Sequence, residues 1–295
     1  MNTRRKYHNY YRIRALLVLS LLINIILVVI LLISRSDRGA SDPSSGGASL
    51  HADKIITAGD SSPHADEIIT AGSSSPHADK VITAFANEHH LDLSDWPDSL
   101  RELLEKNPET EEFVLQYPLK KDATPDIDLS EYVGSSEVPL FLQWDERWGY
   151  STYGNNMMGL SGCGPTCLSM VCMYILNDAQ YSPRYIADFA QQNGYCVPGN
   201  GSAWTLISEG GVRLGLDVTE IPLDENRIIR NLEAGNPIIC IMGPGDFTTS
   251  GHFIVMTGCE DGKIKVNDPN SPARSGILWD YDAIKDQIRN LWVCR

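Results

Sequence analysis

Cys163 is the residue of this sequence best placed to act as a nucleophile. It stands in the segment SGCGPT, directly before CLSMVCMYIL, an apolar run with helical periodicity. Pro165 fits the first turn of such a helix, where its missing N–H costs nothing. At a helix N-terminus the free N–H groups and the helix dipole stabilise a thiolate and lower the pKa of the thiol. The flanking Gly162 and Gly164 leave room for a substrate to approach, so the pattern predicts a reactive cysteine.

A thiolate needs a partner that holds its proton and later protonates a leaving group, usually a histidine oriented by Asp or Asn. His252 opens the apolar run HFIVMT after the Gly/Ser/Thr-rich loop GDFTTSG. Asp268 follows sixteen residues later, at the end of the next predicted strand. Adjacent strands of a hairpin can bring these two side chains together, and we therefore predict a Cys163–His252–Asp268 set.

The same residues also fit structural roles. Cys163 could be a buried core thiol or half of a disulfide, because the chain has seven cysteines. His252 could be a structural histidine, and Asp268 could be a turn residue before a proline. An odd number of cysteines leaves at least one unpaired. Cys167 and Cys172 fall on the helix that follows Cys163, and we expect them in the core.

The elements around these residues indicate an α+β domain. Helices are predicted first, from residue 163 onward, from the capped start at Ser182-Pro183, over Trp204–Leu214, and from Asp224 to about Ala234. Strands then dominate, over Pro237–Met242, His252–Thr257, Lys263–Val266 and Ile277–Tyr281, with a last helix near Tyr281–Leu291. Asp261-Gly262 predicts a hairpin turn. Helices followed by antiparallel strands are typical of an α+β layer structure.

Four segments together carry a resemblance to a known family. LQWDERWGY, GCGPTCLSM, GHFIVMTG and VNDP, in this order, resemble the C39-like cysteine peptidases, a branch of the papain-like superfamily. The resemblance spans about residues 138–294. It implies a papain-like fold with a helical part and an antiparallel sheet. It also implies Cys163 as nucleophile, His252 as general base, Asp268 as its orienting partner, and Gln143 as oxyanion-hole donor beside the Cys163 backbone N–H.

Two features depart from the family's bacteriocin-processing members. Those proteins are fused to an ABC transporter, whereas this sequence contains no Walker-A loop. Their glutamine lies only a few residues before the cysteine, whereas Gln143 precedes Cys163 by twenty residues. The intervening segment, residues 144–160, must loop out or line the cleft. A glycine-rich loop at 199–201 with Trp204 could form a substrate subsite.

Residues 15–33 read ALLVLSLLINIILVVILLI and predict a transmembrane helix. Residues 1–14 carry five Lys or Arg residues, which predicts a cytoplasmic N-terminus and places the rest of the chain outside the cell. A cleavable signal peptide is the alternative. Its apolar region is usually shorter and precedes a small-x-small cleavage site, whereas this run ends in SRSDR.

Residues 34–86 are predicted to be a disordered linker. They contain three copies of a 13-residue unit that begin at His51, His64 and His77. The regular histidines invite a metal-site interpretation, but no Cys or second His lies at ligand spacing within a unit. Residues 87–137 are predicted to be a helical extension that packs on the following domain, with substrate gating as the alternative. Residues 138–295 form the predicted peptidase domain.

Charge and composition limit the partners. The chain has a net charge of −14, and most of the excess acid lies in residues 34–137, with eight basic and twenty-one acidic residues. No clustered basic face is present, so nucleic acid is excluded as a partner. No cofactor or metal is predicted, and the sequence predicts no oligomeric state.

Three functions therefore remain open for the sequence. The first is an extracellular, membrane-anchored cysteine peptidase that acts on a peptide or protein through a Cys163 thioester. The second is a Cys/His amidase or endopeptidase that acts on peptidoglycan, although no cell-wall-binding repeat is present. The third is an inactive peptide-binding module, which would not need the complete catalytic set.

Overall fold

The computed structural model of the chain describes residues 76–295. The predicted transmembrane helix at 15–33 and residues 34–75 of the predicted linker lie outside the described residues. Between residues 76 and 295 no helix is both long and apolar enough to cross a membrane. The described residues all belong to one compact unit of the chain.

Helices precede most of the strands along the chain. They are α1 (Pro76–His89), α2 (Asp98–Lys106), α3 (Glu111–Lys120), α4 (Met158–Ser161), α5 (Cys163–Leu176), α6 (Pro183–Gln192), α7 (Gly211–Leu214), α8 (Glu225–Glu233), α9 (Pro272–Ser275) and α10 (Tyr281–Ile284). A π-helical turn, Leu206–Gly210, leads directly into α7. The four predicted helices between residues 163 and 234 are confirmed, and Ser182 and Asp224 cap two of them as expected.

The strands form one large antiparallel sheet and two small hairpins. The hairpins pair β1 (Thr152–Tyr153) with β2 (Asn156–Met157) and β3 (Cys196–Val197) with β4 (Gly201–Ser202). The large sheet contains β5 (Val218–Glu220), β6 (Ile238–Met242), β7 (His252–Glu260), β8 (Lys263–Asn267), β9 (Leu278–Trp279) and β10 (Ile288–Cys294). Its strand order is β5-β10-β6-β7-β8-β9. The α+β class with an antiparallel sheet is confirmed.

The central strands are apolar on both faces because both faces of the sheet are covered. Along β6, Ile239 and Ile241 face the core that contains α5 and α6, whereas Ile238 and Cys240 face the core that contains α8. This two-sided burial explains the continuous apolar run PIICIM. The β7–β8 turn has positive φ angles at Asp261 and Gly262, +50° and +77°, which suit a two-residue hairpin.

The predicted last helix over Tyr281–Leu291 is wrong in its second half. Helix α10 ends at Ile284, and residues 288–294 form β10, which pairs with both β5 and β6. The apolar spacing of 281, 284, 288 and 291 matches a helix. Pairing on both edges and burial of the β-branched and aromatic residues outweigh that local periodicity.

The predicted linker is also wrong over residues 76–86, which belong to α1. Ala78, Ile82 and Ala86 lie one helical turn apart and are buried in a core shared with α2 and α3. The third repeat unit places Phe85 where the first two have Gly59 and Gly72. A large apolar residue at that position extends the face that the helix buries.

The two helices expected between residues 87 and 118 are present as α2 and α3, and they pack on the domain that follows. Phe113 of α3 stacks on Tyr150, with ring centroids 4.5 Å apart. The ring of Phe113 also lies directly against Gly149 and Gly159, since a methyl group added at Gly159 would lie 2.5 Å from Phe113 Cζ. We call residues 76–120 the N-terminal extension.

Candidate active site

The thiol of Cys163 lies at the N-terminus of α5, the longest of the helices that pack on the large sheet. Gly162 precedes the helix, and the Thr166 hydroxyl donates to the Gly162 carbonyl at 2.8 Å, which fixes the first turn. Cys163 is partly exposed, whereas Cys167 and Cys172 are buried in the core, as expected. All seven cysteines of the sequence lie among the described residues, and each is a free thiol.

His252 and Asp268 are brought together by the β7–β8 hairpin, as predicted. His252 is the first residue of β7, and Asp268 directly follows β8. The His252 Nε2 and Asp268 Oδ1 atoms are 2.7 Å apart. The imidazole is 8% exposed and the carboxylate is fully buried, so the pair is shielded from water.

The thiol and the imidazole lie close enough to shift each other's pKa. Burial acts to raise the pKa of Cys163, but the interaction with His252 and the backbone N–H groups of Phe253 and Gly164 hold it below its ordinary value. Burial acts to lower the pKa of His252, but Asp268 and the Cys163 thiolate raise it to about 10. These shifts favour a thiolate–imidazolium pair at neutral pH. Because Nε2 of His252 is hydrogen-bonded to Asp268, Nδ1 is the ring nitrogen available to interact with the Cys163 sulfur.

The Asp268 carboxylate has two further donors. Arg274 Nε lies 2.6 Å from Oδ2, and the Asn270 backbone N–H donates to Oδ1 at 2.8 Å. Burial acts to raise the pKa of Asp268, but His252 and Arg274 hold it below its usual value. The carboxylate therefore stays ionised although it is completely buried.

Arg274 was not among the residues that the sequence singled out. It lies on α9, a single helical turn whose N-cap is Ser271, with the Arg274 N–H donating to Ser271 Oγ at 3.1 Å. Ser271-Pro272 repeats the signal Ser182-Pro183 that correctly predicted α6. That repeated signal could have located the short helix, although not the contact of its arginine with Asp268.

Gln143 is buried beside this set. Its backbone N–H donates to the Pro269 carbonyl at 2.7 Å, which ties it to the residue after Asp268. Its side-chain Nε2 donates to the Gly159 carbonyl at 2.9 Å, and Oε1 is buried without a hydrogen-bond partner. One of the two amide hydrogens is thus engaged, and the side chain makes no hydrogen bond to Cys163, His252 or Asp268.

The β3–β4 hairpin lies against the start of α5. A methyl group added at Gly164 would lie 2.6 Å from Ser202 Oγ, so the glycine allows this contact. The Ser202 hydroxyl shares a 2.6 Å hydrogen bond with the Tyr153 hydroxyl. Trp204 packs edge-on against Trp292 of β10, with centroids 6.0 Å apart. Gly201 and Ser202 thus lie against Ser161 and Gly164, close to Cys163 in the sequence, while the Trp204 ring contributes to the core.

Within residues 76–295 no group of three or more His, Cys, Asp or Glu side chains is arranged to bind a metal ion. His77 is the one repeat histidine in this range. The other two, His51 and His64, lie outside the described residues, so the metal interpretation of the repeats stays untested.

Residues 135–294 match the model of the Peptidase_C39 like family. This match covers more than half of the 295 residues, and the chain belongs to that family. The family resemblance expected from the four sequence segments is therefore confirmed.

Two solved structures are similar to the chain. One is the peptidase domain of Streptococcus ComA, a bi-functional ABC transporter involved in a quorum-sensing pathway, with 19% identity, 45% of this chain and 89% of that chain covered, and a TM-score of 0.37. The other is a C39-like peptidase from Bacillus anthracis, with 14% identity, 58% and 98% covered, and a TM-score of 0.36. No curated protein matches the chain.

Proposed function

We propose that the chain is a cysteine peptidase of papain-like fold in which Cys163, His252 and Asp268 carry out the reaction. The observation that carries the proposal is the arrangement of a thiol at a helix N-terminus, an imidazole that interacts with it, and a buried carboxylate 2.7 Å from that imidazole. A peptide-binding module needs no such ion pair. The lowered pKa of the Cys163 thiol therefore favours catalysis over binding alone.

In the first half of the reaction, Cys163 Sγ attacks the carbonyl carbon of the peptide bond. The resulting oxyanion lies near the Cys163 backbone N–H, with the second amide hydrogen of Gln143 as the proposed partner donor. His252 then transfers its Nδ1 proton to the leaving nitrogen, the C–N bond breaks, and a thioester remains. Asp268 keeps the imidazolium oriented and charged throughout.

In the second half, a water molecule attacks the thioester carbonyl while His252 takes one of its protons. The C–S bond breaks, the carboxylic acid product leaves, and the thiolate–imidazolium pair is restored. No cofactor or metal enters these steps. The proposed substrate is therefore a peptide or protein segment that can extend across the start of α5.

The experiment for this proposal uses the full-length protein and a thiol-directed covalent peptidase probe. We expect labelling at Cys163, and we expect Cys163→Ala to abolish both labelling and peptide cleavage while the circular dichroism spectrum is unchanged. Cys259→Ala is the matched control because Cys259 is also partly exposed but lies far along β7. Labelling or cleavage that survives Cys163→Ala contradicts the nucleophile assignment.

The target of the reaction is tested separately. Cleavage of a soluble peptide library, without release of fragments from purified peptidoglycan sacculi, supports a peptidase of proteins or peptides. Release from sacculi alone instead identifies the amidase or endopeptidase that the sequence left as an alternative. In both assays Cys163→Ala supplies the background rate.

We also propose that residues 15–33 anchor the protein in the cell membrane and that the catalytic domain lies outside the cell. The apolar run and the preceding basic residues support this orientation. Full-length protein should stay in the membrane pellet after alkaline carbonate extraction, and protease added to intact spheroplasts should digest the catalytic domain. Extraction by carbonate, or protection from the protease, contradicts the proposal.

A further inference from the structure

The N-terminal extension lies outside residues 135–294, the part of the chain that matches the family. It nevertheless touches the loop that holds Asp268. The contact is made by a single 3-10 turn between α2 and α3, Pro108–Thr110, and by Asn107, which caps that turn. Asn107 and Glu109 each bond to a different part of the segment 268–275, across more than 160 residues of sequence.

Glu109 hydrogen-bonds to the start of α9, the short helix that carries Arg274. One carboxylate oxygen accepts the Ser271 hydroxyl, and the other accepts the Ala273 backbone N–H at 2.9 Å. Ser271 is fully buried and is itself the N-cap that receives the Arg274 N–H. The carboxylate of Glu109 therefore completes the capping of α9, and α9 presents Arg274 to Asp268 Oδ2.

Asn107 hydrogen-bonds to Asn270, the residue whose backbone N–H donates to the other oxygen of Asp268. Its Nδ2 donates to the Asn270 carbonyl at 2.8 Å, and Trp144 Nε1 donates to the same carbonyl at 3.3 Å. The Asn270 N–H donates in turn to Asp268 Oδ1. This is the oxygen that lies 2.7 Å from His252 Nε2.

We infer that Asn107 and Glu109 are positioning residues of the active site and that the N-terminal extension is a part of the catalytic unit. Each oxygen of Asp268 has one donor from the segment 268–275, and each donor is fixed by one of these two residues. The inference rests on the proposed function for its catalytic meaning. The state of the Cys163 thiol, however, can be measured without any substrate.

The experiment measures the rate at which iodoacetamide alkylates Cys163 as a function of pH, followed at the level of the Cys163 peptide by mass spectrometry on the full-length protein. Glu109→Gln weakens the capping of α9, which loosens the hold on Asp268. The His252 imidazolium then loses support and the pKa of Cys163 rises. On the acid side of the midpoint of this profile we expect the rate to fall about fivefold, the change that weakening one charge-assisted hydrogen bond by about 1 kcal/mol gives.

Glu102→Gln is the matched control for the charge change. Glu102 lies on α2 of the same extension, is exposed, and among residues 76–295 forms a salt bridge only with Lys106. The Glu102→Gln variant should show the same pH profile of Cys163 alkylation as the wild type. A Glu109→Gln profile that coincides with the Glu102→Gln profile overturns the inference.

A double-mutant cycle separates positioning from general loosening of the fold. In an Asp268→Asn background, Glu109→Gln should have no further effect on the Cys163 profile, because its effect passes through the carboxylate. The same fivefold fall in that background overturns the inference. Asn107→Ala serves as the second probe if Glu109→Gln fails to fold, and we expect the same direction of change.

These outcomes are distinct from the fate of the proposed function. A chain that shows the Glu109-dependent thiol profile but cleaves no peptide contradicts the peptidase proposal and supports the positioning role. A chain that cleaves peptides through Cys163 but shows no effect of Glu109→Gln on the thiol profile supports the peptidase proposal and contradicts the positioning role of Glu109.

Discussion

At the scale of single residues, Asp268 shows how the fold keeps a charge in its interior. Its carboxylate is fully buried, yet Arg274, His252 and the Asn270 N–H all donate to it. An unpaired carboxylate at this position would take up a proton instead. The three donors thus keep the negative charge that the His252 imidazolium needs.

The role of Arg274 gives a prediction about stability and pH. Arg274→Met leaves Asp268 Oδ2 without its donor, and we expect the free energy of unfolding at pH 7 to fall by about 1–3 kcal/mol. Urea denaturation measures this change. Arg184→Met is the control, because Arg184 forms an exposed pair with Asp188 on α6 and should change stability by less than about 0.5 kcal/mol.

The same variant should also unfold at a less acidic pH. In the native chain the pKa of Asp268 lies below its unfolded value, so its stabilising effect is present above the unfolded pKa and is lost as the pH falls through the folded pKa. Removing Arg274 raises the pKa of Asp268 in the folded state. The difference between its folded and unfolded pKa values then becomes smaller, and so does its contribution to stability. An acid-unfolding midpoint equal to that of the wild type contradicts this account of Asp268.

Gln143 gives a prediction about rate without a change in the thiol. Gln143→Ala removes the proposed oxyanion donor, and we expect kcat to fall by about 10²–10³ with little change in KM. The pH profile of Cys163 alkylation should stay unchanged, because the Gln143 amide bonds Gly159 and not His252. Gln192→Ala, at an exposed position at the end of α6, is the control. A changed alkylation profile in Gln143→Ala argues for a structural role instead.

Much of this site could be predicted from sequence because Cys163, His252 and Asp268 belong to local patterns, whereas Gln143 was implied only by the family resemblance. Cys163 precedes an apolar helix, and His252 and Asp268 flank two strands joined by an Asp-Gly turn. Arg274 and Glu109 belong to no such pattern. Their contacts with the Asp268 segment depend on tertiary packing, and for Glu109 the partners are more than 160 residues away.

At the scale of elements, the start of α5 and the β3–β4 hairpin are packed without a gap. Gly164→Ala places a methyl group 2.6 Å from Ser202 Oγ and 2.8 Å from Ser202 Cβ. We expect a loss of about 1–3 kcal/mol in the free energy of unfolding, together with slower alkylation of Cys163. Thermal and urea unfolding, with alkylation, measure both effects.

The double variant Gly164→Ala, Ser202→Gly tests the stated cause, because it removes the two atoms that would lie less than 3 Å from the added methyl group. We expect it to recover part of the lost stability relative to Gly164→Ala. Gly258→Ala in β7 is the control, since an added methyl group there meets nothing within 4 Å. A Gly164→Ala variant as stable as Gly258→Ala contradicts the packing described for this hairpin.

Element prediction from sequence failed where tertiary pairing opposes local periodicity. The apolar spacing around Ile288 and Leu291 suits a helix, but both residues pair with β6, and the end of β10 also pairs with β5. The prediction that residues 76–86 belong to a disordered linker failed for a related reason. The short apolar stripe of the repeat unit becomes a helix face because α2 covers Ile82, and this neighbour is not visible in the repeat itself.

At the scale of the whole molecule, the N-terminal extension and the family domain share a core. Trp144 and Tyr150 of the domain pack against residues of the extension such as Phe113. A chain that begins at residue 135 should therefore lose at least about 3 kcal/mol of stability, since deletion of one large aromatic residue from a core costs about that much. A chain that begins at residue 76 should unfold like the full-length protein.

Urea denaturation of the two truncated chains measures this difference. In the shorter chain the midpoint of the Cys163 alkylation profile should also move to higher pH, because Asn107 and Glu109 are absent. Equal stability and equal thiol reactivity of the two chains would show that the extension is dispensable.

The position of β10 has a consequence for how the protein is made. A ribosome releases residues in order, and residues 288–294 follow every other described element. While they are still in the exit tunnel, β5 has no partner strand and β6 has only β7. His252 pairs with Met242 of β6, and Met242 is also the partner of Ile288 in β10, so the sheet beside His252 is completed only by β10. In the proposed peptidase, we therefore expect the thiolate–imidazolium pair to form only after β10 has emerged from the ribosome and joined the sheet.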